Sequence, residues 1–386
     1  QRLLQAVSGG HAATAYAILG WRTEFDRTRT RLVEMVSGTC FGFLECQAKF
    51  LDAVIALREG AVERAPGLIR AALDFARDRQ FEYPQMARYS ITTGDVLAEA
   101  FRLGIETDYA TQIVRRYQVA PPKRAPRSWP WPVRVYTLGR FAIELDGETL
   151  EFHGKAPRKP LSLLKALIAL GAERVPSERL TDVLWPEEDA DRAAKALDVN
   201  LVRLRRLLAR PDAISVAEDQ ISLNRNLCWL DTWEFEKQLG SLDELLARTD
   251  GAAQLPAQLA GAFEIYCGEF LPGDIEPTWT LKQRERLRAL FCRLVERAGA
   301  QLEAAGDWAP AIECYQRGLE IDDLVESFYL GLMRSYRSMG RTADALAAYR
   351  RLRRLLSVVL GVSPSEESQR LACSLQADNP ARFDLE

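Results

Sequence analysis

Ten residues near the C-terminus return 34 positions later: Gly306-Asp-Trp-Ala-Pro-Ala-Ile-Glu-Cys-Tyr315 comes back as Gly340-Arg-Thr-Ala-Asp-Ala-Leu-Ala-Ala-Tyr349. Leu302 and Tyr336, Ala311 and Ala345, and Ile312 and Leu346 keep the same offset. A period of this length is one pair of helices, which cannot bury its apolar face alone, so successive pairs must stack. The alanines let paired helices approach, and the tyrosines and leucines fill the groove between them. The first 118 residues are helix-rich too, with Leu51, Val54, Ile55 and Leu57 before Gly60, then Leu68, Ile69, Ala72, Leu73 and Ala76. Their repeat is weaker, and a second helical array is the expectation there.

Between these regions lies a different pattern. Val133-Arg-Val-Tyr-Thr-Leu138 and Phe141-Ala-Ile-Glu-Leu145 alternate like half-buried strands, and Asp146-Gly147 is a hairpin signal leading to a third strand, Leu150-Glu-Phe152. Pro160 opens a helix through Leu170, Ser177 caps a second through Leu184, and Trp185-Pro186 breaks the chain before a third. Ile214-Ser-Val216 and Ile221-Ser-Leu223 then alternate on either side of Ala217-Glu-Asp-Gln220, which reads as a terminal hairpin or wing.

The third helix has two faces. Leu197, Leu201, Leu204 and Leu208 recur at helical steps and form a narrow stripe that anchors it on a core. The opposite face carries Arg192, Lys195, Val199, Val202, Arg203 and Arg206, with Asn200 and Arg205 on the flanks. Cations that reach phosphates or guanine edges, interleaved with exposed valines that suit thymine methyls, fit a helix lying in a DNA groove. The competing explanation is a solvated helix whose late arginines, Arg205, Arg206 and Arg210, complement the helix dipole.

The net charge of −3 argues against indiscriminate coating of nucleic acid, but two basic islands stand out. From Arg192 to Arg210 six cations face one acid, Asp198, and from Arg115 to Arg134 there are six cations and no acid. The second island includes Pro121-Pro-Lys-Arg-Ala-Pro-Arg-Ser-Trp-Pro-Trp-Pro132, whose prolines predict an extended, semi-rigid spacer. Lys123, Arg124 and Arg127 read as solvated there, and Trp129 and Trp131 as packed on a neighbouring domain.

The order of elements from Val133 to Leu230 resembles the OmpR-type winged-helix DNA-binding domain, and Leu197-Asp-Val-Asn-Leu-Val-Arg-Leu-Arg-Arg-Leu207 resembles its recognition helix. The resemblance implies that Val199 and Arg203 face base edges. It also implies that Lys195, Asn200 and Arg205 lie toward phosphates or the groove margin, with Arg206 a further candidate. Two departures are the acidic wing tip, Glu218-Asp219-Gln220, where the family often carries a basic minor-groove contact, and Val202, where a polar residue is common.

Downstream, the residues Tyr266-Cys-Gly-Glu-Phe-Leu-Pro-Gly273, Trp279, Arg284-Glu-Arg-Leu287, Glu326, Leu332-Met333, Tyr336 and Leu360-Gly-Val-Ser-Pro-Ser365 resemble another domain. It is the bacterial transcriptional activator domain, which follows the winged helix in the Streptomyces antibiotic regulatory protein family. Gly361 and Pro364 also read as a plain helix terminus. The first array is similar to the repeat region of large MalT-type regulators. Gly104-Ile-Glu-Thr-Asp-Tyr-Ala-Thr-Gln-Ile-Val-Arg-Arg-Tyr117 resembles the segment that precedes the winged helix in composite regulators.

The expected fold is mainly α with a small β component: a winged helix-turn-helix between two tetratricopeptide-like helical repeat domains. The expected domains are a repeat domain over residues 1–118, a basic linker over 119–132, the winged helix over 133–230, the activator domain over 231–376 and a tail over 377–386. The resemblance implies a sequence-specific transcriptional activator acting on double-stranded promoter DNA, with RNA polymerase as a partner and a homo-oligomer on DNA within expectation. Because the chain begins at Gln1, it is expected to be the C-terminal part of a larger regulator with a nucleotide-binding module upstream. The alternative is a repeat scaffold or signalling adaptor whose winged helix mediates protein contacts.

An enzyme is not expected. There is no Gly-x-x-x-x-Gly-Lys-Ser/Thr phosphate loop, no Gly-x-Ser-x-Gly elbow and no His-Glu-x-x-His metal motif, and His11 and His153 are the only histidines. No cofactor or metal is expected. The seven cysteines, Cys40, Cys46, Cys228, Cys267, Cys292, Cys314 and Cys373, are scattered without a Cys-x-x-Cys pair and read mostly as reduced core residues of a cytoplasmic protein. No apolar run is long enough for a membrane helix, and no signal peptide is evident.

Overall fold

The computed structural model of the chain describes residues 2–37, 42–79, 90–152, 156–247, 254–273 and 278–377. Cys40, His153 and the tail from residue 378 lie outside the described residues. The chain forms two compact units, one of residues 1–132 with 225–227 and the other of residues 133–224 with 228–386. No described helix is long and apolar enough to cross a membrane.

The first unit is a helical array, α1 (Arg2–Leu19), α2 (Arg22–Val36), α3 (Gly42–Arg58), α4 (Ala65–Asp78), α5 (Ser90–Leu103) and α6 (Thr107–Tyr117). Small residues set the spacing. Ala6, Leu32, Val36, Leu44 and Ala48 share one cluster, and Ala13, Ala17, Phe25, Leu51 and Ile55 the next. The buried Gln47 amide ties α3 to α1 by donating to the Gly10 carbonyl at 3.2 Å and to Thr14 Oγ1 at 2.9 Å. Residues 119–132 correct the expected spacer, because they pack within this unit. Trp129 is buried, edge-on to Phe101 at 5.7 Å, with Trp131 beside it. Arg102 donates to the Arg124 carbonyl, and Ser128 Oγ to the Phe101 carbonyl. Two indoles supply enough apolar area to dock a proline-rich segment that composition alone reads as extended.

In the second unit, β1 (Val133–Tyr136) pairs antiparallel with β2 (Ala142–Leu145), and β2 with β3 (Glu148–Thr149). Strand β3 thus falls earlier than the expected Leu150–Phe152. Asp146 and Gly147 form the two-residue turn, both with positive φ, so pairing resumes at once with Leu145 opposite Glu148. Helices α7 (Arg158–Ala169), α8 (Ser177–Leu184) and α9 (Ala190–Leu207) follow. Ser177 is the first residue of α8 and makes no side-chain cap. The wing strands β5 (Ile214–Ala217) and β6 (Gln220–Leu223) carry a third, short partner, β4 (Val175–Pro176). A further strand, β7 (Cys228–Leu230), runs parallel to β1 and completes the first sheet in the order β3-β2-β1-β7.

Helices α10 (Asp231–Leu246), α11 (Leu255–Ile265), α12 (Thr278–Ala305), α13 (Trp308–Ile321), α14 (Glu326–Ser338), α15 (Thr342–Leu355) and α16 (Glu366–Ala377) form the second array. Two of the repeat pairs behave as spaced, Ala311 and Ala345 being buried, as are Leu302 and Tyr336, whereas Ile312 is buried and Leu346 half-buried. The tyrosines diverge, Tyr315 being buried and Tyr349 half-buried. The Tyr315 ring lies where a Cβ on Gly299 of α12 or on Gly331 of α14 would be, and its hydroxyl donates to Glu303 Oε1 at 2.6 Å. Glu303 in turn accepts two bonds from the Arg334 guanidinium.

The winged helix is sewn to this array. Gly139 donates to the Glu269 carbonyl at 2.9 Å and Leu271 to the Thr137 carbonyl at 2.7 Å. Gly139 has φ +79, and a Cβ there would press within 2.9 Å of the Cys267 backbone, so the approach needs glycine twice over. The Arg284 guanidinium holds the Phe270 and Leu271 carbonyls, each at 3.1 Å. The Asp231 carboxylate, wholly buried, accepts from the Thr137 and Leu138 amides, from Thr137 Oγ1 at 2.7 Å and from the Thr232 amide at 2.8 Å.

Candidate nucleic-acid interface

Helix α9 starts where Asp189 Oδ1 accepts the Arg192 amide at 3.0 Å, a cap that satisfies an otherwise orphaned donor. It packs on α7 and α8 through Ala193, Leu197, Leu201 and Leu204, and Leu208 beyond its end is buried too. The leucine stripe is therefore the anchor that its spacing predicts.

The other face stands free. Val199 is 48% exposed and Val202 47%, and Lys195, Arg203 and Arg206 are exposed around them. Arg192 is exposed but leans back on Asp189, with Nε and Oδ2 3.2 Å apart. Two predicted residues do not join this face. Asn200 is only 3% exposed and its Nδ2 donates to the Ala196 carbonyl at 2.7 Å, one turn back in the same helix. Arg205 is half-buried and its guanidinium donates to the Ile214 carbonyl at 3.0 Å from Nη2, so it ties the helix to the first wing strand. Both side chains are held within the domain. A flank position of a helix turns inward or outward according to what packs beside it, and here β5 and the core take both.

Two cations absent from the sequence reading join the face instead. Arg158 and Lys159, in the first turn of α7, line an open groove with Arg203, Arg206 and Leu207. The positive end of the α7 dipole adds to them, so this groove favours an anion. A basic pair before Pro160 at a helix start was the available signal. The wing tip is acidic as read: Glu218 and Asp219 both adopt positive φ in the tight turn between β5 and β6.

The first sheet carries aromatic contacts. Trp229 of β7 packs 5.3 Å from Tyr136, and the Arg134 guanidinium lies over its ring. Burial pushes the Asp231 carboxyl up to about 6 although four donors pull it down. Burial likewise pushes the Cys46, Cys228 and Cys314 thiols up to about 12, which keeps them protonated and inert, whereas Cys267 and Cys373 are exposed.

Residues 230–376 match the bacterial transcriptional activator domain. Over 271 residues the chain is 28% identical to the regulatory protein AfsR of Streptomyces coelicolor, a match covering 66% of this chain and 25% of AfsR, so the chain spans about a quarter of that relative. Among solved structures, Mycobacterium tuberculosis EmbR in complex with a low affinity phosphopeptide aligns at 19% identity and a TM-score of 0.49, covering 64% of this chain and 66% of that one. The TPR2AB-domain:pHSP90 complex of yeast Sti1 aligns at 10% identity and a TM-score of 0.24, covering 96% and 98% of the two chains. The matched domain and the relative bear out the resemblance to transcriptional regulators of the Streptomyces antibiotic regulatory protein type.

Proposed function

We propose that this transcriptional regulator binds double-stranded promoter DNA in a sequence-specific way, with α9 in the major groove, and activates transcription. The observation that carries the reading is the free face of α9. Exposed Val199 and Val202 sit among exposed Lys195, Arg203 and Arg206 on a helix whose opposite side is locked into the core. Branched apolar groups left in water beside cations are explained by thymine methyls and phosphates, and a merely solvated face does not need them. In this reading Val199 and Arg203 read bases, Lys195 and Arg206 hold phosphates, and Arg158 and Lys159 extend the phosphate track along the groove at α7. The activator domain holds the winged helix and faces RNA polymerase, as the family resemblance implies.

Selection on random duplexes followed by binding titrations tests this. Arg203→Ala is expected to cost about 1 to 3 kcal/mol and to relax choice at one position, because a guanidinium pairs bidentately with guanine. Lys195→Ala should weaken all duplexes alike. Unchanged affinity and an unchanged selected site in Arg203→Ala would sink the assignment of α9 as the reading helix.

Affinity is also expected to fall steeply with salt, with a log-log slope of about −0.9 per neutralised phosphate. Arg158→Ala and Lys159→Ala should each flatten that slope by about 1. A slope identical to that of the unaltered protein would place both residues off the DNA.

A further inference from the structure

We propose that the end of α15 and the turn after it form a docking ridge for an acidic amphipathic helix of another protein. Helix α15 does not simply fray. It runs into a π-helical turn, Leu356–Leu360, which is stopped by Gly361 at φ +68. Within that turn Leu356 is buried, yet Val358 is 79% exposed, Val359 54%, Leu360 55% and Val362 beyond it 51%. Apolar residues exposed singly are ordinary, but four within five positions concentrate exposed apolar side chains at one end of the helix, and such concentrations mark interaction surfaces.

The patch continues a row of cations. Arg350, Arg351, Arg353 and Arg354 are exposed, and among the described residues none of the four guanidiniums makes a hydrogen bond or an ion pair. In the same array Arg334 is paired with Glu303, and Arg341 with Asp344. Arg351, Arg354 and Val358 follow at steps of three and four, so charge and apolar surface lie along one flank. The core side of the helix is held separately by Ala345, Leu352 and Leu356. The helix dipole accounts for Arg353 and Arg354 in the last turn, but not for Arg350, Arg351 or the valines.

Charge complementarity selects the occupant. A two-fold contact of this ridge with a second copy would set arginine against arginine. A nucleic acid would meet the guanidiniums with its phosphates, but scattered thymine methyls would cover four neighbouring apolar side chains less fully than a leucine stripe does. A helix with carboxylates beside a leucine stripe covers both at once, the carboxylates over the arginines and the stripe over Val358, Val359 and Leu360.

The test titrates the whole chain into two labelled helical peptides of equal length and charge. One carries glutamates beside a leucine stripe, and the other has glutamine at each leucine position. Phosphatidylserine vesicles and a random-sequence duplex form separate arms. Saturable binding of the leucine peptide is expected, weaker by about tenfold or more for the glutamine peptide. The pairs Val358→Ser with Val359→Ser, and Arg350→Glu with Arg354→Glu, should each weaken the leucine peptide by a similar factor while keeping the helical spectrum and melting of the unaltered chain. Equal binding of both peptides, no peptide binding, or binding of vesicles or duplex alone that is lost in both variant pairs, would overturn the proposal.

Discussion

Asp231→Ala is expected to destabilise the second unit by roughly 3 to 5 kcal/mol, read as a lowered urea midpoint with an unchanged slope. The carboxylate accepts the Thr137 and Leu138 amides, the Thr137 hydroxyl and the Thr232 amide, and it is buried among them. Removing it strands three backbone donors and one hydroxyl away from water, and each stranded donor costs about 1 to 3 kcal/mol before relaxation. Asp231→Asn should recover only part of this, because its one carbonyl oxygen accepts while its amide nitrogen confronts donors.

The pH dependence of that difference has a definite sign. The folded carboxyl is raised to about 6, so this group's stabilisation is complete below the ordinary carboxylate range and is lost as the pH climbs through 6. The unaltered chain should therefore lose stability relative to Asp231→Asn between about pH 4 and pH 6. A constant gap across that range would show that Asp231 titrates normally in the fold.

Gly331→Ala is the second large effect, expected to cost about 3 kcal/mol although alanine is the better helix former. A methyl at Gly331 would enter the Tyr315 ring, and Gly299 presses on the same ring from α12. The ring has no room to retreat, because its hydroxyl is held by Glu303, itself fixed by Arg334. Shrinking the ring should absorb the clash, so Gly331→Ala combined with Tyr315→Ala should cost clearly less than the two single changes added together. Strict additivity in that cycle would mean that the methyl is accommodated elsewhere.

These two sites differ in how far the sequence announces them. The 34-residue offset puts Tyr315 in the groove between helices, but nothing in it shows that Tyr315 is clamped by two glycines while Tyr349 is half-buried. Asp231 gives little local signal, since three of its four donors lie more than ninety positions away, just past β1. The leucine stripe of α9 was legible because an anchor repeats at helical spacing. The placement of Asn200 and Arg205 is not legible in the spacing, because they lie on the margin of that stripe, where the neighbour decides, and Ile214 and the core are those neighbours. Arg158 and Lys159 escaped because their relation to Arg203 exists only in space. Strands β4 and β7 are too short for alternation to reveal them.

The parallel pairing of β7 with β1 bears on where this architecture can be cut. The wing ends at Leu223, and a fragment stopped there would look complete as a helix-turn-helix with its hairpin. It would lack the strand that covers one edge of β1 and the carboxylate that receives the Thr137 and Leu138 amides. The smallest transplantable winged helix therefore extends through Thr232, into the first turn of what the domain match counts as the activator. Recombination between regulators of this kind would keep the sheet whole only if the crossover fell beyond that turn.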